Sequence, residues 1–129
     1  MRSIEYVYKM LDWNNSEEIQ LQGRSLARKY TDLKVFCQPL TEEYNKNVWE
    51  NCAIILSEKS NEELKPYLTD LLCWLQDMNW PGAVCILNRL QAYCEIDSLD
   101  EILEVCFKKA EDDNDENWIN NLGLIKEQK

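Results

Sequence analysis

The sequence contains no histidine, and this absence excludes several kinds of chemistry. Histidine is the commonest general base and a common metal ligand, and it activates the nucleophile of serine–histidine and cysteine–histidine enzymes. Glycine and proline number only three each, too few for a turn-rich β-sandwich or for a glycine-rich loop that holds a phosphate. The longest apolar stretches are also far shorter than a membrane span.

The charge is strongly acidic. The 129 residues include 24 aspartates and glutamates against 14 lysines and arginines, for a formal net charge of -10. Nucleic acids and anionic membranes repel such a surface, so we expect neither as a partner. The length is that of a single domain, residues 1–129, and a hydrophobic content of 45% is enough for a core.

The cysteines lie among apolar residues and form no Cys-x-x-Cys pair. They are Cys37, Cys52, Cys73, Cys85, Cys94 and Cys106. Without histidine they do not complete a common zinc site, so we expect reduced, buried thiols that pack as small hydrophobic groups. Because the N-terminal residues also lack the apolar run of a secretory signal, we expect a cytoplasmic protein. A redox-active pair is the alternative.

Apolar residues recur at helical spacing through most of the chain. The leucines from Leu64 to Leu75 form the clearest stripe, and Ser60 with Glu63 forms a capping box before it. A second capping box, Ser98 with Glu101, predicts the start of a later helix.

Turn and polar residues predict the remaining helix limits. We expect a first helix that ends near Trp13, a second that begins after Ser16, and a short helix from Thr41. The acidic run 111–116 is typical of a solvated linker, and a last helix contains Trp118.

These segments predict an all-α fold of about seven helices in antiparallel pairs. The helix starts at Asn15, Ser60 and Asp97 resemble one another, at spacings near 45 and 37 residues. Because such spacings are close to those of two-helix solenoid repeats, we expect a HEAT-like α-α superhelix. An irregular bundle is the alternative.

The segment from Trp74 to Ala83 turns sharply and has two interpretations. In the structural one, Asp77 or Asn79 caps the following helix with the next proline in its first turn, Trp80 packs on the core, and Gly82 allows two helices to approach closely. In the functional one, Gln76, Asp77 and Trp80 form an exposed contact patch, since tryptophan is common at interfaces.

Three stretches, 47–53, 64–68 and 72–83, carry a family resemblance, and the last reads Leu-Cys-Trp-Leu-Gln-Asp-Met-Asn-Trp-Pro-Gly-Ala. From about Trp49 to Leu90 the chain resembles a bacterial, all-helical, HEAT-like family catalogued as a domain of unknown function. The resemblance implies an all-helical fold of about this length and brings no catalytic residues. By analogy of size, acidity and helical build, such domains are similar to immunity proteins of bacterial toxin systems.

Two carboxylate pairs have the one-turn spacing of magnesium-dependent all-α hydrolases. They are Glu101 with Glu104, and Asp112 with Asp115. No second helix offers matching carboxylates, and no histidine is available to activate a cysteine. We therefore expect no enzymatic activity, no metal and no other cofactor, and keep a magnesium-dependent hydrolase as a third interpretation.

The acidic segment 95–116 holds ten aspartates and glutamates but only two lysines. It favours a basic protein partner, and nuclease toxins are basic because their substrates are anionic. We therefore expect a non-catalytic immunity protein that binds and neutralises a cognate basic toxin, with a general helical-repeat scaffold as the alternative. The predicted partner-binding residues are Asp77, Trp80, Glu101, Glu104, Asp112, Asp113, Asp115 and Glu116.

Overall fold

A computed structural model describes residues 4–38, 46–93 and 96–126, and all regular structure in these ranges is helical. The α-helices are α1 (Ile4–Leu11), α2 (Glu17–Ala27), α3 (Trp49–Ser57), α4 (Asn61–Leu64), α5 (Leu68–Cys73), α6 (Ala83–Gln91), α7 (Ile96–Asp112) and α8 (Glu116–Gly123). Single 3-10 turns lie at Leu33–Phe36, Lys46–Val48, Lys65–Tyr67, Trp74–Gln76 and Leu124–Lys126. The predicted all-α class is confirmed. None of the helices in these ranges combines the length and apolar character that crossing a membrane requires.

Helices α4 and α5 form one helical rod, residues 61–76, with 3-10 geometry around Pro66 and at its end. Proline lacks the N–H that an α-helix would use at this position, so the rod tightens locally. The rod begins at the predicted capping box: the Ser60 hydroxyl accepts from the Glu63 N–H, and the Glu63 carboxylate accepts from the Ser60 N–H, each at 3.1 Å. With the rod counted once, the described residues contain seven helices, as predicted.

The helices after residue 46 form a stack of two layers. The first layer contains α3 and α6, which run side by side in the same direction. At the start of α6, a Cβ added to Gly82 would lie only 2.7 Å from the Ala53 Cβ, so the two backbones nearly touch. Near the end of α6, Arg89 donates to the Lys59 carbonyl at 3.0 Å. Contacts between the two starts and between the two ends fix the parallel direction.

The second layer contains the rod and α7, which are also parallel. Just before α7, the Tyr93 hydroxyl donates to the Asn61 carbonyl at the start of the rod, at 3.4 Å. In the second halves of the two helices, the Cys73 thiol adds to the desolvation that raises the pKa of Cys106, so these two side chains are close. Successive helices in each layer begin about 34 residues apart. The paired helices and their stacking are consistent with the expected HEAT-like superhelix.

Helix α8 packs against the second layer at the end of the stack, and the 3-10 turn that follows it contacts α6 in the first layer. The Trp118 indole N–H donates to the Leu72 carbonyl at 3.0 Å, and the Asn121 amide donates to the Leu75 carbonyl at 2.7 Å. Because Trp118 is 2% exposed, its hydrogen bond lies in the core and fixes α8 against the end of the rod.

Helices α1 and α2 form an antiparallel hairpin before the stack. The hydroxyl of Ser16 accepts from the Ile19 N–H at 3.3 Å, so Ser16 is the N-cap of α2. The two helices approach closely at Gly23, where an added Cβ would lie 2.8 Å from the Met10 Cβ. The short helix predicted from Thr41 lies outside the described residues.

Two predicted helix starts are wrong. Helix α7 already begins at Ile96, so Ser98 and Glu101 lie within the helix instead of capping it. Helix α6 begins at Ala83 and has Gly82 as its N-cap, without a side-chain cap. Gly82 takes a left-handed conformation, φ 85°, which brings the chain into α6 without the cap that a polar residue would supply.

Candidate protein-binding surfaces

The turn between the rod and α6 holds Asp77 and Trp80, the first two predicted contact residues. The Asp77 carboxylate accepts from the Asn79 N–H at 2.8 Å, and the Asp77 carbonyl accepts from the Trp80 N–H at 3.0 Å. Asp77 therefore stabilises its own turn and not the start of α6.

Trp80 is half-buried and is both a core residue and part of a surface. Its ring packs edge-on against Trp49, with centroids 5.5 Å apart, and the Lys46 ammonium lies 5.9 Å from its centroid. The same ring lines an open cleft of about 780 Å³ between α3 and α6, together with the exposed side chains of Trp13 and Val84. We call this cleft the tryptophan cleft.

The acidic run 111–116 is not the predicted linker. Helix α7 continues to Asp112, three residues turn, and α8 begins at Glu116. Asn114 takes the left-handed conformation, φ 55°, that turns the chain at the end of a helix. The Asp115 carboxylate caps α8 by accepting from the Trp118 N–H at 3.0 Å. Asp112, Asp113 and Glu116 are exposed. A contact role for Asp115 would compete with its role as the cap of α8.

The outward side of α7 presents carboxylates around an apolar centre. Val105 is 62% exposed, the most exposed of the large apolar residues described. The same surface holds Glu101, Glu104, Glu111 and one lysine, Lys108. All four are exposed, and within the described residues none of them takes part in a hydrogen bond or ion pair. We call this surface the α7 outer face.

A groove of about 400 Å³ runs between α7 and the end of α8. One wall is a helical stripe of Asp100, Leu103, Glu104 and Phe107, and the other is formed by Leu122, Gly123 and Lys126. Leu103 and Leu122, which are at most 4% exposed, form its apolar floor. The Lys126 ammonium lies 2.9 Å from the Asp100 carboxylate and closes one end. We call this feature the α7–α8 groove.

The eight predicted contact residues thus lie in three places. Glu101 and Glu104 are on α7, four acidic residues surround the α7–α8 turn, and Asp77 and Trp80 are on the preceding turn. Both turns follow second-layer helices, which are parallel, so both lie at the same end of the stack.

Several lining residues escaped sequence reasoning. Trp13 was expected only as a helix end, yet it is 45% exposed on the tryptophan cleft. Val105 could have been found from the sequence, because it lies off the apolar stripe that Leu99, Leu103 and Cys106 form on α7.

The described thiols are free, and burial makes them poor nucleophiles. Desolvation raises the pKa of Cys37 and of Cys52 to about 12, and that of Cys106 to about 11. Cys73 and Cys85 are half-buried, which corrects the expectation that these thiols are fully buried, and desolvation raises their pKa values as well. Cys94 lies outside the described residues.

Glu101 and Glu104 stand one turn apart on α7. Within the described ranges, no group of three or more histidine, cysteine, aspartate or glutamate side chains is placed to hold a metal ion. A divalent cation bound by an all-protein site normally takes several oxygen ligands, so this pair by itself is a poor magnesium site.

Comparison with known proteins gives one match, which begins just before the stack. No curated protein and no solved structure matches the chain. A family model does match residues 45–127, about two thirds of the chain, which include the stack and leave out the N-terminal hairpin. The chain therefore belongs to the family described as Domain of unknown function (DUF5071).

Proposed function

We propose that this chain is a non-catalytic protein-binding domain, and most concretely an immunity protein that binds and neutralises a cognate basic toxin of nuclease type. The observation that carries the proposal is the α7 outer face, where Glu101, Glu104 and Glu111 outnumber one lysine, Lys108, around the exposed Val105. An apolar centre with an acidic rim has the composition of a surface that recognises a basic protein.

Charge and apolar area contribute differently to such binding. The three carboxylates outnumber Lys108, so the α7 outer face keeps a net negative field, which accelerates the approach of a cationic partner and disfavours acidic ones. The apolar centre and neighbouring half-buried aromatic rings, such as Phe107, supply area that loses water on contact. A nuclease covered in this way would lose access to its anionic substrate.

The test uses the protein encoded by the gene next to this one, provided that it has a secreted toxin domain. That domain is expressed in a bacterial host with and without this chain, and survival and complex formation are measured. We expect rescue, a 1:1 complex, and association that slows steeply as salt is raised. A toxin that kills equally in both strains would contradict the immunity proposal.

A matched charge comparison sharpens the test. Changing Glu101, Glu104 and Glu111 to glutamine should slow association by on the order of tenfold at low salt. Changing Glu17, Glu18 and Glu62 to glutamine removes the same charge from other exposed positions and should leave the association rate nearly unchanged. Equal effects of the two triple variants would show that only net charge matters and that the α7 outer face is not the interface.

A general helical-repeat scaffold is the second candidate, and the parallel stacking of α3 with α6 and of the rod with α7 favours it. Stacked repeats provide extended surfaces for protein partners of many kinds. The absence of any toxin gene beside this one, together with binding to a partner that is not basic, would favour the scaffold.

A further inference from the structure

The α7–α8 groove has the shape of an unfilled position in the helical stack. In the second layer, α7 lies beside the rod, and a further helix placed beside α7 and over α8 would continue that layer. No element within 4–38, 46–93 or 96–126 occupies this place. Stacked helical repeats normally finish with a polar outer side. Here Leu103 and Leu122 form a covered floor, and half-buried Phe107 beside exposed Gly123 offers the apolar area that a further helix would cover.

The walls of the groove fit a helix better than an irregular segment. On α7 the lining residues recur at the three- and four-residue spacing of a single helical ridge, from Asp100 to Phe107. This ridge is about two turns long, and ridges of one helix pack into the grooves of another. Gly123 leaves the opposite wall low, since a Cβ added there would meet no atom within 4 Å.

The charge around the groove favours a helix with basic side chains. Glu104 lies on both the groove and the α7 outer face, which continues to Glu111, and neither carboxylate has a partner among the described residues. The one lysine of the groove, Lys126, is already paired with Asp100. Lys108, which lines the α7 outer face between Glu104 and Glu111, offsets one of their two charges, so a bound helix would meet a net negative charge along the α7 side.

We propose that the α7–α8 groove receives an amphipathic helix of the partner, with apolar side chains over Gly123 and Phe107 and lysine or arginine side chains directed at Glu104 and Glu111. The inference rests on the proposed protein-binding function and names the structural element that the partner contributes. Binding of an amphipathic helix in an apolar groove is a common mode of recognition.

The test is an NMR titration of the full-length 15N-labelled chain with a synthetic peptide of about 18 residues. The peptide carries leucines at helical spacing, with lysine and glutamine elsewhere, and a control peptide has the same composition in an order that places the leucines on all sides. The chain has only three glycines, Gly23, Gly82 and Gly123, whose amide signals report on the hairpin, the tryptophan cleft and the groove respectively.

We expect the Gly123 signal to shift saturably while the Gly23 and Gly82 signals stay in place, with no such shift from the control peptide. A shift of Gly82 instead would place the helix in the tryptophan cleft and overturn the proposal. Equal shifts from the control peptide would show unspecific attraction between a cationic peptide and an acidic protein, which would also overturn it.

Two variants test the groove directly. Gly123→Leu fills it, and we expect peptide affinity to fall about tenfold or more while the melting temperature stays the same or rises, because leucine favours a helix more than glycine. Glu104→Lys reverses a rim charge on an exposed side chain and should weaken binding mainly at low salt. Unchanged affinity in both variants would overturn the proposal, as would a dimer of the free chain that Gly123→Leu dissociates.

The Gly123→Leu variant also distinguishes a failure of this proposal from a failure of the proposed function. If the wild-type chain neutralises the toxin and Gly123→Leu does so equally well, the groove is not the interface but the immunity function stands. If the peptide occupies the groove and no toxin is neutralised, the groove stands and the immunity function fails.

Discussion

The N-terminal hairpin, α1 and α2, and the helical stack share one hydrophobic core, and a buried polar connection also joins them, whereas the centre of the stack is a cluster of aromatic rings. The connection centres on Asn51, which is 2% exposed. Its side-chain amide donates to the Leu11 carbonyl at 2.7 Å and to the Gln20 side chain at 3.0 Å, and it accepts from Arg24. Removing such a contact leaves buried polar groups without partners.

The stack has its tightest contact around three indole rings. The Trp74 ring is fully buried, lies edge-on to Trp49 with centroids 6.2 Å apart, and donates its N–H to the Pro81 carbonyl at 3.0 Å. Trp80 packs on the other side of Trp49. The family match begins at residue 45 and includes this cluster. A substitution in this cluster should lower the stability of the whole domain, while a substitution of Asn51 should first destabilise the hairpin.

The largest effect is expected from Gly82→Ala. The new Cβ would lie 2.7 Å from the Ala53 Cβ and 2.9 Å from Trp74 Cζ2, in a residue with φ 85°. Left-handed strain of about 1–2 kcal/mol and overpacking of about 1–3 kcal/mol together predict a loss of about 3 kcal/mol in the free energy of unfolding. Urea denaturation followed by circular dichroism measures this loss. A loss below about 1 kcal/mol would mean that α3 and α6 separate easily.

A smaller and more local effect is expected from Asn51→Leu. The change removes three hydrogen bonds, and stranding their buried partners should cost about 2–3 kcal/mol. Hydrogen exchange should show loss of protection in α1 and α2, while amides of α6 and α7 stay protected. Uniform loss of protection in all four helices would show that hairpin and stack unfold as one unit.

Gly123→Ala is the matched control for Gly82→Ala and should act in the opposite direction. Its Cβ would meet nothing within 4 Å, so only helix propensity changes. We expect a gain of up to about 1 kcal/mol in the free energy of unfolding, measured by the same urea experiment. A loss of stability would show that α8 needs the glycine for a reason other than space.

The smallest effect concerns the ion pair between hairpin and stack. Arg28 donates to Glu58 at 2.9 Å, and this hydrogen bond lowers the pKa of Glu58 below its ordinary value of 4.5. Both side chains are more than a third exposed, so Glu58→Gln should cost only about 0.5 kcal/mol at neutral pH.

The pH dependence of that cost has a definite sign. The pKa of Glu58 is lower in the folded state than in the unfolded state. The ion pair therefore stabilises the fold fully above the unfolded-state pKa, and this stabilisation is lost as pH falls through the folded-state pKa. The difference in unfolding free energy between wild type and Glu58→Gln should therefore shrink below about pH 4.5. A difference that stays constant down to acid pH would mean that the pair contributes nothing in solution.

Local signals in the sequence were read correctly where both partners are close along the chain. Ser60 and Glu63 are three residues apart, and their capping box forms as predicted. The caps at Ser98 and Asn79 were wrong for another reason: the same local pattern fits several helix starts, and packing of α6 and α7 chooses among them. The cap at Asp115 could have been predicted, since aspartate is a favoured N-cap and the helix containing Trp118 was expected just after it.

The sequence by itself determined the helical class, the amphipathic stripes and the acidic excess, because these follow from residue type and spacing along one helix. Only the tertiary structure decided whether Trp80 faces the core or the solvent, since Trp49 and Lys46 lie more than thirty residues away along the chain. It also created the α7–α8 groove, whose two walls belong to different helices. A surface formed between helices depends on their relative placement, and that placement is the outcome of many long-range contacts at once.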